Sequence, residues 1–193
     1  ADGLNVPEAF WLSFVSEIKR HISVKVVVGD SITDGKAVPW VRDFWKDSDR
    51  YYWQRFETFK KTSLPVAVIK DIDAVTDDIL DQCGNPNDCS QPWQKRGLVI
   101  GDVQSGKTGV FTGLINKASD AGYKVIIVLT GILETLRRQT QERLNTDYVG
   151  HSDGQNVSIV NNDRMPFTLT SVEADFNKRV KSNVDFSFNS HKE

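Results

Sequence analysis

The residues best suited to chemistry in this chain are Gly101, Asp102, Val103, Gln104, Ser105, Gly106, Lys107 and Thr108, which satisfy G-x-x-x-x-G-K-[ST] at every fixed position. Such a loop turns its backbone N–H groups inward, and the positive end of a following helix adds to their pull on phosphate oxygens. Lys107 would reach the β- and γ-phosphates and is the candidate catalytic residue, while the Thr108 hydroxyl would be a metal ligand to Mg²⁺. Gly109 completes the candidate nucleotide-binding set. The expected cofactors are therefore ATP and Mg²⁺.

Other reactive residue types do not converge. Cys83 and Cys89 lie in a Gly/Asn/Pro loop with no second cysteine pair and no nearby histidine, a poor zinc pattern, so they read as ordinary thiols. The three histidines, His21, His151 and His191, are far apart in sequence. A metal-dependent nuclease centre needs carboxylates and a lysine on strand ends, whereas Asp71 and Asp73, and Glu57 with Lys60, fall on predicted helices, so no cleavage site is assigned. ATP hydrolysis needs a carboxylate at the end of a later strand to hold Mg²⁺ and activate water. Asp163 follows an apolar run, but Asn161 and Asn162 intervene and no second carboxylate adjoins it.

A phosphate loop of this kind requires a strand before it and a helix after it. Leu98, Val99 and Ile100, and the run Val125, Ile126, Ile127, Val128 and Leu129, are wholly apolar and mostly β-branched, as expected of parallel strands covered on both faces. Val110, Phe111, Leu114, Ile115 and Ala118 recur at helical spacing between them, and Gly122 is a helix stop. A second helix is expected over 132–145 and a third strand over 157–160. Thr170 with Glu173 has capping-box spacing for a short helix to about residue 181.

The preceding part reads as helical. Phe10, Trp11, Phe14, Val15, Ile18 and Ile22 recur at helical spacing after Pro7. A second helical stretch spans 40–61, with Val41, Phe44, Trp45, Tyr52, Trp53, Phe56 and Phe59 as an apolar stripe and a break near Asp47, Ser48 and Asp49. A third starts at Pro65, with Ile69, Ile72, Val75 and Ile79 inward. Six aspartates and no lysine or arginine lie between Asp71 and Gln94, which reads as a solvated helix face followed by a loop. That loop marks the expected division into a helical region, 1–92, and a phosphate-loop domain, 93–193.

With 193 residues, 39% hydrophobic and 26% charged, the chain reads as soluble and globular, and its net charge of -2 supplies no global field for nucleic acid. From 95 to 150, however, eight basic residues face five acidic ones. No apolar run reaches the roughly 20 residues of a membrane helix and no signal-peptide profile opens the chain, so a cytoplasmic location with no membrane partner is expected.

The run from Arg96 to Thr108 resembles motif I of superfamily 2 helicases and translocases, and Leu129, Thr130 and Gly131 leading to Arg137, Arg138, Gln139, Thr140, Gln141, Glu142 and Arg143 resemble their motif Ia. The resemblance implies that Thr130, Arg137 and Gln139 contact a nucleic-acid backbone. More closely, the chain from about 40 to 150 is similar to the Z-one domain of bacterial restriction-type endonucleases, through its V-Q-S-G-K-T loop, A-G-Y-K-V-I-I-V-L run, L-R-R-Q-T-Q-E-R-L helix and Tyr51-Tyr52-Trp53 preface. What this implies is an α/β fold, with a helical N-terminal region followed by a partial RecA-like P-loop domain built on a parallel sheet.

The implied function is ATP binding by part of a helicase- or translocase-like ATPase of a prokaryotic DNA restriction or phage-defence system, with DNA as partner. Too few residues follow Thr108 to complete such a motor, and the chain starts at Ala1, so an N-terminal piece of a larger protein, weak or inactive alone as an ATP hydrolase, is expected. The alternative is a non-motor interaction module whose P-loop is a nucleotide switch for assembly with a nuclease or methyltransferase.

Overall fold

Residues 40–61 form two helices, α1 (Val41–Phe44) and α2 (Tyr51–Lys60), separated where Asp47, Ser48 and Asp49 favour a turn. Pro65 then stands immediately before α3 (Val66–Gln82), whose Ile69, Ile72, Thr76 and Leu80 fall three or four residues apart and are buried. Each such aliphatic side chain contributes about 1.5–3 kcal/mol when fully buried. The computed structural model describes residues 10–11, 38–88, 90, 94–100, 106–152, 155–156 and 164–176. Of the expected first helix, Phe10 and Trp11 are helical and exposed, and the remainder lies outside the described residues.

Helix α4 (Lys107–Asp120) ends at Gly122, whose φ of 97° is the left-handed turn that glycine adopts most readily. It packs on α2 and α3. One core joins Trp53, Phe56, Val68, Ile72 and Val110, and a second joins Val41, Leu80 and Ala121 with Trp40, Phe44, Leu114 and Tyr123 around them. The Gly/Asn/Pro loop after α3 is tied to the end of α4: the Asn87 amide donates to the Ala121 carbonyl at 3.0 Å, and the Tyr123 hydroxyl donates to the Gly84 carbonyl. The chain divides into two compact units, 1–124 and 125–193, so α4 belongs with the helices before it. The division expected at 92/93 lies outside the described residues.

In the second unit, α5 (Glu134–Leu144) runs into a π-helical turn (Asn145–Val149), which ends at Gly150 with φ of 92°. An antiparallel pair follows, β1 (His151–Ser152) with β2 (Gln155–Asn156).

The expected RecA-like parallel sheet is overturned. Residues 94–100 and 123–130 hold neither strand nor helix, and the sole sheet among the described residues is the β1–β2 pair. Leu98, Val99, Ile100, Val125, Ile127 and Leu129 are exposed. Apolar β-branched composition favours a strand, but a strand exists only through hydrogen bonds to a neighbour distant in sequence. No ladder partner for either run occurs among the described residues, whose covering layer for α4 is made of helices. The third expected strand, 157–160, and Asp163 lie outside the described residues. Nor is 170–176 helical: Thr170 donates its hydroxyl to Gln141 Oε1 at 2.6 Å instead of capping, while Ser171 closes a turn with Ala174.

Candidate functional site

Gly106 is the last residue of the phosphate-loop pattern before α4, and its φ of 74° and ψ of 18° place it in the left-handed region. It occupies the N-cap position with no side chain of its own, and its carbonyl accepts the first intrahelical bond, from Val110 N at 3.1 Å. Lys107 and Thr108 therefore open the helix, Lys107 exposed and Thr108 half-buried. The positive end of a 14-residue helix lies at these two residues, which favours an anionic phosphate, whereas the strand expected before the loop is not formed at 98–100. Gly101, Asp102, Val103, Gln104 and Ser105 lie outside the described residues.

Gly109 has a structural partner: a Cβ there would lie 3.1 Å from Ile72 Cδ1 on α3. One turn on, a Cβ at Gly113 would lie 3.1 Å from Ile72 Cγ2 and 3.2 Å from Trp53 Cζ3. The next residue at this spacing is Lys117, fully buried, whose ammonium pairs with Asp73 Oδ1 at 2.6 Å and Asp77 Oδ1 at 2.5 Å. It also donates to the Asp73 carbonyl at 2.5 Å and lies 4.4 Å from the Trp53 ring centre. Burial lowers the Lys117 pKa, against the pull of the two carboxylates. For Asp73, burial raises the pKa, but Lys117 and Arg50 outweigh it and hold the carboxyl below its ordinary value.

The same cluster gathers the connection between α1 and α2. Trp45 Nε1 donates to Asp77 Oδ1 at 2.8 Å, and Arg50 donates to Asp73 Oδ1 at 2.6 Å while stacking over Trp45 and Trp53. Arg50 has φ of 48°, a left-handed conformation costing a non-glycine residue about 1–2 kcal/mol, which these contacts offset. Two helix starts are capped from afar. Asp81 Oδ1 accepts from Trp40 N and Val41 N, each at 2.8 Å, and Asp120 accepts from Tyr52 N and Trp53 N, each at 2.8 Å.

Asp73, Asp77 and Asp81 thus form a working stripe at four-residue spacing, not the solvated face expected of the acidic run. The spacing was visible beside Ile72, Thr76 and Leu80; the partners were not. Burial raises the Cys83 thiol and pushes the Tyr123 hydroxyl up to about 12, so both stay protonated. Among the described residues no group of three or more histidine, cysteine and carboxylate side chains is placed to hold a metal ion.

The candidate nucleic-acid residues belong to the second unit. Thr130 and Gln139 are exposed, and Thr130 donates to the Gly131 carbonyl at 3.3 Å. Arg137 is engaged: it grips both Glu134 oxygens at 2.7 and 2.8 Å and donates to the carbonyls of Ser171 at 2.9 Å and Val172 at 2.6 Å, leaving its side chain 11% exposed. Hydrogen bonds from Arg137 and Arg138 hold the Glu134 carboxyl down at about 2.

No family model, no curated protein and no solved structure matches this chain. Among the described residues no helix is long and apolar enough to cross a membrane.

Proposed function

We propose that the chain binds ATP with Mg²⁺ through residues 101–109, Lys107 meeting the β- and γ-phosphates and Thr108 the metal ion. The observation that carries the reading is the start of α4: a left-handed Gly106 leads directly into Lys107 and Thr108 at the positive end of the helix. On the resemblance of its motifs, the binding serves a cytoplasmic helicase- or translocase-like ATPase of a DNA restriction or phage-defence system. DNA contact is proposed at Thr130 and Gln139; Arg137 would join them by exchanging its carbonyl partners for phosphate.

Calorimetric titration of the whole chain with Mg-ATP tests the reading. Lys107→Ala should weaken binding by at least about tenfold, the loss of one charge-assisted contact, in a chain that still unfolds cooperatively. Equal affinity in the two proteins would sink it.

A second reading is favoured by the packing of α4 on α2 and α3, which ties the helix that Lys107 and Thr108 open to the helical layer. Here the nucleotide is a switch that alters the helices and gates assembly with a nuclease or methyltransferase. Mg-ATP binding without turnover, accompanied by a changed exchange pattern in α3, would select this reading over the motor.

A further inference from the structure

Gly109, Gly113 and Lys117 succeed one another at four-residue spacing along the face of α4 that meets α2 and α3. The two glycines let Ile72 and Trp53 approach closely, but they present no side chain that interlocks with them. A surface of this kind resists separation better than sliding. Directional contacts at Lys117 supply the missing constraint. Its ammonium is held by the Asp73 and Asp77 carboxylates and the Asp73 carbonyl and covered by Trp53, while Arg50 and Trp45 bind the same carboxylates.

We propose that Lys117 is a positioning residue for the phosphate site: pinned to α3 and under Trp53, it fixes the rotation and axial position of α4, and hence where Lys107 and Thr108 meet a nucleotide. The inference rests on the nucleotide reading above. α4 is continuous, so a displacement at Lys117 is carried about 15 Å along the axis to Lys107. Setting register is the best-attested use of buried ionic groups.

Lys117→Met alone strands the Asp77 charge and can unfold the chain. In Lys117→Met with Asp77→Asn neither the buried ammonium nor its half-buried carboxylate partner remains charged; Asp73 keeps Arg50, and the new amide oxygen can still accept from Trp45 Nε1. This double variant should fold with near wild-type stability, bind Mg-ATP about tenfold more weakly, and exchange the Val110, Phe111 and Leu114 amides faster, with Ile72 and Thr76 unchanged. A purely structural lysine would give wild-type affinity and exchange once stability is restored. If the wild type binds Mg-ATP, wild-type values for either quantity in the double variant overturn the proposal. If the wild type binds no Mg-ATP, the nucleotide reading fails, and the exchange at Val110, Phe111 and Leu114 alone decides whether Lys117 positions α4.

Discussion

Asp120 and Asp81 cap α2 and α1 from a distance, since neither helix has a side-chain cap from its own N-cap position, and beside α2 the Asp49 carboxylate accepts from the Tyr51 amide at 3.2 Å. Caps of this type contribute about 1 kcal/mol each. Asp120 performs its role while half-buried: burial first, and Asp49 second among the groups that raise it, push its carboxyl to about 6, against the Trp53 and Tyr52 amides and Arg50. Between the ordinary 3.8 and about 6 the folded chain keeps a proton that the unfolded chain has released, so this group's stabilisation is full below the window and lost as pH rises through it. Asp120→Asn does not titrate. Denaturant unfolding from pH 4 to 6.5 should therefore show the wild type losing stability relative to the variant; a difference constant with pH would count against it. That Lys107 and Thr108 stand at the start of a helix was legible in the sequence because the pattern is local. Lys117 was not, since a lysine within a helix ordinarily reaches solvent, and its partners lie more than 35 residues away.

At the scale of elements, the helical periods of 40–61, of the stretch that starts at Pro65 and of 110–118 were readable, and they fall on α1 to α4. The apolar runs at 98–100 and 125–129 carry strand composition without strand structure, because pairing depends on a neighbour that composition does not specify. Gly113 illustrates how close the helices lie. In an open helix Gly→Ala gains about 1 kcal/mol. Here the added methyl group meets Ile72 and Trp53, and overpacking of this sort costs about 1–3 kcal/mol. Gly113→Ala should thus fail to stabilise the chain and lower its thermal midpoint; a raised midpoint would show that α3 can move aside. Gly109→Ala meets a single flexible methyl group, Ile72 Cδ1, and should be milder.

At the scale of the whole molecule there are two compact units: the first holds Lys107 and Thr108 of the proposed phosphate site and the helices packed on α4, the second the candidate nucleic-acid residues. Phe56, 1% exposed, lies in the core that joins α2, α3 and α4. Phe56→Ala should cost about 3–5 kcal/mol, read from the denaturant midpoint of tryptophan emission. A small effect at Phe56 would mean that this core does not govern the first unit. The sequence by itself determined the phosphate-loop pattern, the helical periods and the glycine stop at Gly122, all set by residues within a few positions of one another. Tertiary structure alone decided that α4 is covered by helices, that Asp73, Asp77 and Asp81 are partners rather than a wet face, and that Arg137 grips the segment at 171–172. The reason is physical: these outcomes depend on charges and surfaces brought together across tens of residues, and local spacing carries no record of which distant group arrives.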